Sequence, residues 1–132
     1  KELGITSFNI IPNLKIKDKK RLNINDLILP SPLKWLKGFY YSEFVITDSF
    51  HGCVFSIIFN IPFIAIGNTK RGLARFESLL SMFGLKERLL ISLDQYSPGD
   101  CLRTINWSAI NILLEQERLK GFQFLKNNLI DS

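Results

Sequence analysis

The sequence has little of what builds a metal centre. Its 132 residues include one histidine, His51, and two cysteines, Cys53 and Cys101. The cysteines stand far apart without the spacing of zinc ligands, and the acidic residues are scattered, so we predict no metal site. Cys53 lies in an apolar run and is typical of a small buried hydrophobic residue. Two separate cysteines fit a reducing, cytoplasmic compartment.

Long hydrophobic runs are also missing. The longest, residues 53–59, is interrupted by Ser56, whereas a membrane-spanning helix needs about 20 apolar residues. We therefore expect no transmembrane segment. Hydrophobic residues are 46% and charged residues 22% of the chain, which is close to the average of globular domains and excludes a disordered chain.

Positive charge exceeds negative charge, and the formal net charge is +5. Five basic residues within residues 15–21 suit either an anionic partner, such as nucleic acid or a lipid surface, or a solvated loop. We favour a basic loop over residues 13–26, because no aromatic side chain stands between the charges to stack on bases. We therefore expect no binding of nucleic acid.

Strand and helix patterns alternate along the chain. Strand composition occupies residues 5–11, 27–29, 44–47, 63–66 and 89–91. Helical patterns occupy residues 32–40, 53–59, 73–83 and 106–130, with Ser31 and Asn106 as N-caps and with Asn60 and Gly84 as stop signals. The strand at 44–47 is apolar on both faces, as a buried parallel strand requires. The alternation predicts a single α/β domain over residues 1–132, with a Rossmann-like parallel sheet flanked by helices.

The segment between the strand at 44–47 and the next helix is the most informative for chemistry. It places Asp48, Ser49 and His51 at the edge of the sheet where ligands bind in open α/β folds. The N–H groups that begin a helix favour an anion such as phosphate or carboxylate, and histidine works as an acid or a base near neutral pH. Gly52 allows the close approach of a ligand or a packing helix. Alternatively, Asp48 and Ser49 only cap the helix and His51 makes a core hydrogen bond.

The same segment carries a family resemblance. Residues 46–52 (Ile-Thr-Asp-Ser-Phe-His-Gly), followed by residues 54–60 and by Pro62-Phe63, resemble the polysaccharide pyruvyl transferase family. The likeness extends upstream to residues 32–36 (Pro-Leu-Lys-Trp-Leu). Downstream it includes residues 71–76 (Arg-Gly-Leu-Ala-Arg-Phe) and 83–89, so that it covers roughly residues 30–92 well.

The resemblance implies a fold and an activity. The chain would be the C-terminal, Rossmann-like half of a two-domain enzyme of the GT-B type, and the lack of a starting methionine fits such a fragment. The family transfers the enolpyruvyl group of phosphoenolpyruvate to a sugar of a cell-surface polysaccharide or exopolysaccharide, or of its lipid-linked precursor, which gives a pyruvate ketal. We expect no cofactor, and an N-terminal domain that supplies acceptor contacts. The fragment alone would be inactive and cytoplasmic, with at most peripheral contact at the inner face of the membrane.

The resemblance also implies roles for single residues. The family's functional histidine falls on His51, which would protonate the enolpyruvyl carbon or stabilise the departing phosphate. Asp48 would accept backbone N–H groups or fix the tautomer of His51. Branches of the family that are better understood have arginine where this chain has Ser49, and a hydroxyl cannot replace the bidentate grip of a guanidinium on an anion.

We therefore predict that basic residues after the next strand bind the anion. Lys70, Arg71 and Arg75 follow that strand and can reach the same edge of the sheet, with Ser49 and Gly52 completing the predicted substrate-binding set. The alternative for the three basic residues is a solvated loop and an exposed helix face.

Two further functions remain open from the sequence. A GT-B-like half could bind a nucleotide sugar, because a helix N-terminus suits a diphosphate equally well. The chain could also be a non-catalytic interaction module, in which the basic segment at residues 15–21 and the 11 phenylalanines contact other molecules.

Overall fold

The computed structural model describes residues 6–8, 30–67, 72–92, 94, 99 and 103–129. The chain divides into two units, residues 1–41 and 42–132. The predicted basic loop at 13–26 and the predicted strand at 27–29 lie outside the described residues. Of the predicted strand at 5–11, residues 6–8 are described, and they are exposed and belong to no helix or strand. The extent of the predicted domain stays a prediction.

The first unit contains helix α1, Pro32–Tyr40. It begins as predicted, because the Ser31 Oγ accepts the Lys34 N–H at 3.3 Å and proline occupies the first helical position. One turn apart, the rings of Trp35 and Phe39 meet edge to face at 4.6 Å between centroids. The predicted capped helix is therefore confirmed.

The second unit is built on three parallel strands. These strands are β1 (Val45–Thr47), β2 (Phe63–Ile66) and β3 (Leu89–Leu90). Their order in the sheet is β1-β2-β3. Val45 pairs with Phe63, and Ala65 with Leu89. Parallel neighbours require crossover connections, and helices α2, Phe50–Ile58, and α3, Leu73–Met82, supply them. The prediction of an α/β fold with a parallel sheet is confirmed for these elements.

The core of the second unit lies between the central strand and the helices. Phe63 and Ala65 of β2, Ile57 of α2 and Leu80 of α3 are almost fully buried. The expectation that the first strand is buried on both faces is wrong, because Ile46 is 68% exposed while Val45 is buried. Side chains alternate between the two faces of a strand, so β1 is covered on the Val45 face and open at Ile46.

The predicted stop signals end two of the helices. Asn60, with φ of 58°, adopts the left-handed conformation after α2, and the Ile61 N–H donates to the Ser56 carbonyl at 2.8 Å. Gly84, with φ of 67°, does the same after α3. Asparagine and glycine tolerate positive φ better than other residues, which is why the sequence marks these ends clearly.

A buried arginine just before β3 contacts the segment that leads into the last helix, α4, Trp107–Leu129. Arg88 is 1% exposed, and its Nη2 donates to the Arg103 carbonyl at 2.5 Å, just before α4. Helix α4 begins as predicted, since the Asn106 Oδ1 accepts the Ala109 N–H at 3.2 Å. Ile110 is the residue of α4 that is buried.

Candidate active site

The loop between β1 and α2 is a tight, internally bonded turn. It consists of Asp48 and Ser49. The Ser49 N–H donates to the Thr47 Oγ1 at 3.1 Å, and the Ser49 Oγ accepts the Gly52 N–H at 3.4 Å. The Cys53 N–H then donates to the Ser49 carbonyl at 3.2 Å. Ser49 is therefore the N-cap of α2, and the helix begins directly at the carboxyl end of β1.

Gly52 is required by packing inside this turn. A Cβ on Gly52 would overlap the Thr47 Oγ1 and would lie 2.9 Å from the Thr47 Cβ. The close approach expected at this glycine is therefore made by the side chain of the preceding strand. The Ser56 Oγ donates to the Gly52 carbonyl at 2.8 Å and fixes the first turn of α2.

His51 stands on the first turn of α2 and is exposed. The alternative in which His51 makes a hydrogen bond in the core is therefore wrong. The first N–H groups of a helix have no partner inside the helix, and no described residue accepts a hydrogen bond from the N–H groups of Phe50 and His51. Together with the positive end of the helix dipole, these groups favour an anion beside the imidazole.

The Phe50 ring joins His51 to Arg75. The rings of Phe50 and His51 meet edge to face, with their centroids 5.9 Å apart. The Arg75 Cζ lies 5.5 Å from the centroid of the same ring, and Phe76 supports that ring at 6.1 Å. Of the predicted basic residues, Arg75 is thus brought close to the turn that carries His51.

The sequence does not predict the role of Phe50, whose ring contacts both His51 and Arg75. Its position between Ser49 and His51 inside the family-like segment was visible, but nothing in the sequence showed which residue its ring would contact. That contact depends on the packing of α3 beside α2. Arg75 lies on the first turn of α3, which follows the strand next to β1.

A shallow groove continues from this contact between α2 and α3. It has a volume of about 280 Å³ and is lined by Phe50, Arg75, Ser78, Leu79 and Met82. A larger depression of about 550 Å³ lies beside α3 and β3, with Glu77, Ser81 and Lys86 in its wall. The larger depression contains none of the predicted site residues, so the groove at Phe50 is the one relevant to His51.

For three other predicted residues the structure describes no contact with His51, Phe50 or Arg75. Asp48 is exposed and forms no hydrogen bond or ion pair with any described residue, including His51. Lys70 and Arg71 lie outside the described residues. Their contacts with an anion therefore stay predictions.

The chemistry of the other candidate groups is limited. Within residues 30–67, 72–92 and 103–129, together with the shorter described pieces, no three His, Cys, Asp or Glu side chains are placed to share a metal ion. Cys53 is fully buried as predicted, and burial raises the pKa of its thiol to about 12. No helix in the described part of the chain has the length and apolar character to cross a membrane.

Comparison with known sequences identifies the family. The sequence model of the polysaccharide pyruvyl transferases matches residues 2–70, which include the turn with Asp48, Ser49 and His51 and end before Arg75. No curated protein and no solved structure matches the chain, so the GT-B likeness has no structural neighbour to support it. Because the match covers more than half of the sequence, the chain belongs to the polysaccharide pyruvyl transferase family.

Proposed function

We propose that the protein transfers the pyruvyl group of phosphoenolpyruvate to a sugar of a cell-surface polysaccharide or exopolysaccharide, or of its lipid-linked precursor. The observation that carries this proposal is the position of His51 in a member of this family. The imidazole is exposed at the start of α2, against an aromatic ring that also holds Arg75. A proton-transferring group and a cation therefore border one surface.

The charges of this surface suit the donor. Phosphoenolpyruvate carries a phosphate and a carboxylate, and the N–H groups of Phe50 and His51 offer two donors with the helix dipole behind them. Arg75 forms no ion pair with a described residue, so its guanidinium is available for the second anionic group. In this proposal Lys70, Arg71 and the Ser49 hydroxyl add further contacts to the donor. Gly52 allows the turn to pack against the Thr47 side chain.

The proposed reaction forms two carbon–oxygen bonds and breaks one. The methylene carbon of phosphoenolpyruvate takes up a proton and becomes the methyl group, while two sugar hydroxyls bond to the neighbouring carbon and inorganic phosphate departs from it. The hydroxyls release two protons, of which one balances the methyl group and the other leaves with phosphate. His51 delivers the proton to carbon or stabilises the leaving phosphate.

Two measurements test this proposal: donor binding tests the role of Arg75, and pyruvyl transfer tests the role of His51. We expect Arg75→Ala to weaken phosphoenolpyruvate binding about tenfold or more, since a charge-assisted contact is lost. We expect His51→Ala to abolish pyruvyl transfer and to leave the fold intact, because the side chain is exposed. Calorimetric titration of the full-length protein with phosphoenolpyruvate measures the first effect, and acid-released pyruvate in the polysaccharide measures the second.

A matched control comes from α4. The Arg118 Cζ lies 5.3 Å from the centroid of the Phe122 ring, much as Arg75 lies against Phe50. Arg118→Ala removes the same kind of contact away from the site, so phosphoenolpyruvate affinity should not change. Unchanged affinity in Arg75→Ala as well would contradict the proposed anion contact. Stronger thermal stabilisation by a nucleotide sugar such as UDP-glucose than by phosphoenolpyruvate would contradict the proposed donor.

A further inference from the structure

Phe50 contacts both α2 and α3, although its side chain has no acid, base or charge to contribute. It is the first residue of α2 and is half-buried. The ring of Phe76 on α3, which is 4% exposed, meets it edge to face with the centroids 6.1 Å apart. Because Phe76 belongs to the core, the Phe50 ring is supported from the side of α3. The ring therefore has a defined place beside the turn that carries His51.

The Arg75 side chain turns back toward the start of its own helix. Long side chains in helices point toward the helix N-terminus, and Arg75 follows this rule. Its Nε lies 3.5 Å from the position that a Cβ on Gly72 would occupy, and Gly72 is the N-cap of α3. Its Cζ lies 5.5 Å from the centroid of the Phe50 ring, which is within the range of a cation–π contact. The guanidinium is thus placed at the end of α3 that follows β2.

An aromatic ring, and no described carboxylate, holds Arg75 in this position. The side chain is exposed and forms no ion pair with a described residue. An exposed arginine without a fixed contact samples many rotamers, and ordering it at the moment of ligand binding lowers the affinity. A contact with an aromatic face restricts the side chain beforehand and leaves its charge unneutralised.

We propose that Phe50 is a positioning residue, which holds the Arg75 guanidinium in place for the phosphate or the carboxylate of the donor. The ring contacts no reacting atom and acts through Arg75. The His51 and Phe50 rings also meet, with their centroids 5.9 Å apart, so the guanidinium is held near the imidazole. This inference rests on the proposed function, because it assigns the anion at Arg75 to phosphoenolpyruvate.

Binding of phosphoenolpyruvate to variants of the full-length protein tests the proposal. Phe50→Leu keeps an apolar side chain but removes the aromatic face, and it should weaken binding about threefold or more. Phe50→Tyr retains the ring and should bind as tightly as the wild type. The matched control is Phe122→Leu on α4, which removes the corresponding contact of Arg118, at 5.3 Å, and should leave the affinity unchanged.

A double variant separates positioning from a general structural effect. Phe50→Leu combined with Arg75→Ala should bind phosphoenolpyruvate as weakly as Arg75→Ala alone, because the ring then has no guanidinium to hold, whereas independent losses would multiply. A second measurement uses the wild type without ligand. The side-chain NMR signals of Arg75, assigned with Arg75→Ala, should show the upfield shift of protons that lie above an aromatic ring. If Phe50→Leu does not fold, this measurement decides the proposal.

The outcomes distinguish this inference from the proposed function. Weaker binding in Arg75→Ala with unchanged binding in Phe50→Leu would overturn the positioning role alone. The same holds for multiplied losses in the double variant, for equal losses in Phe50→Leu and Phe50→Tyr or in Phe50→Leu and Phe122→Leu, and for Arg75 signals without the aromatic shift. Unchanged binding in Arg75→Ala would contradict the anion contact of the proposed function, and this inference would fall with it.

Discussion

Helices α2 and α4 are both rich in apolar residues, but they occupy opposite environments. In α2, four of nine residues are buried, whereas in α4 only Ile110 of 23 residues is buried. Helix α2 contacts β1 and β2, so its apolar residues have neighbours. Most of α4 has no such covering among the described residues. Apolar content therefore predicts the helix in both cases, and the neighbouring elements decide its burial.

The two Arg–Phe contacts extend this comparison to electrostatics. Arg118 of α4 stacks on Phe122 and also forms a bidentate pair with Glu115. The hydrogen bonds from Arg118 lower the pKa of the Glu115 carboxyl. Arg75 stacks on Phe50 without an ion pair to any described residue. Both guanidinium groups lie over a phenylalanine ring, and they differ in that no described carboxylate pairs with Arg75.

The largest expected difference comes from truncating one isoleucine in each helix. Ile57 of α2 is 1% exposed, and Ile112 of α4 is 62% exposed. We expect Ile57→Ala to lower the free energy of unfolding by about 2–5 kcal/mol, because it leaves a cavity in the core. Ile112→Ala should change it by less than about 0.5 kcal/mol. Urea unfolding measures both, and equal effects would contradict the assigned burial.

The order of helices and strands in the second unit could be predicted because its signals are local. Asn60, Gly84 and Asn106 mark helix ends through their own backbone and side-chain preferences. The exposure of Ile46 could not be predicted. It depends on which face of β1 other elements cover, and a run of apolar residues does not contain that information.

In the candidate site, too, local features could be predicted from the sequence and contacts between elements could not. The turn with Ser49 and His51 was predicted from a strand followed by a helix, since both signals lie within a few residues. The contact of Arg75 with Phe50 joins residues on different helices and depends on how α3 packs. The need for glycine at position 52 also depends on packing, because the Thr47 side chain occupies the space that a Cβ would fill.

Helices α2 and α4 each contain a glycine, and the two glycines differ in the space around them. A Cβ at Gly52 would overlap Thr47, whereas a Cβ at Gly121 of α4 meets no atom within 4 Å. We expect Gly52→Ala to destabilise the fold by about 1–3 kcal/mol, as overpacked sites do. Gly121→Ala should stabilise it by about 0.5–1 kcal/mol, because alanine is the better helix former. Urea midpoints of the two variants should therefore move in opposite directions, and a shift of the same sign would refute this account.

The smallest expected effects concern the thiol of α2. Burial raises the pKa of Cys53 from 9.0 to about 12, and the thiolate is the reactive form. In a Cys101→Ser background, Cys53 should react with a disulfide reagent at least about tenfold more slowly than a cysteine introduced on α4 by Ile112→Cys. Equal rates for the two thiols would contradict the burial of Cys53 in α2.

The same pKa gives stability a defined pH dependence. Above pH 9.0 the unfolded chain loses the thiol proton, whereas the folded chain keeps it up to about 12. The contribution of Cys53 to the free energy of unfolding is therefore complete below pH 9.0 and is lost as the pH rises toward 12. Comparison with Cys53→Ala removes the titration of all other groups. The difference in unfolding free energy between the two proteins should shrink as the solution becomes more alkaline, and a constant difference would mean that the folded thiol ionises as readily as the unfolded one.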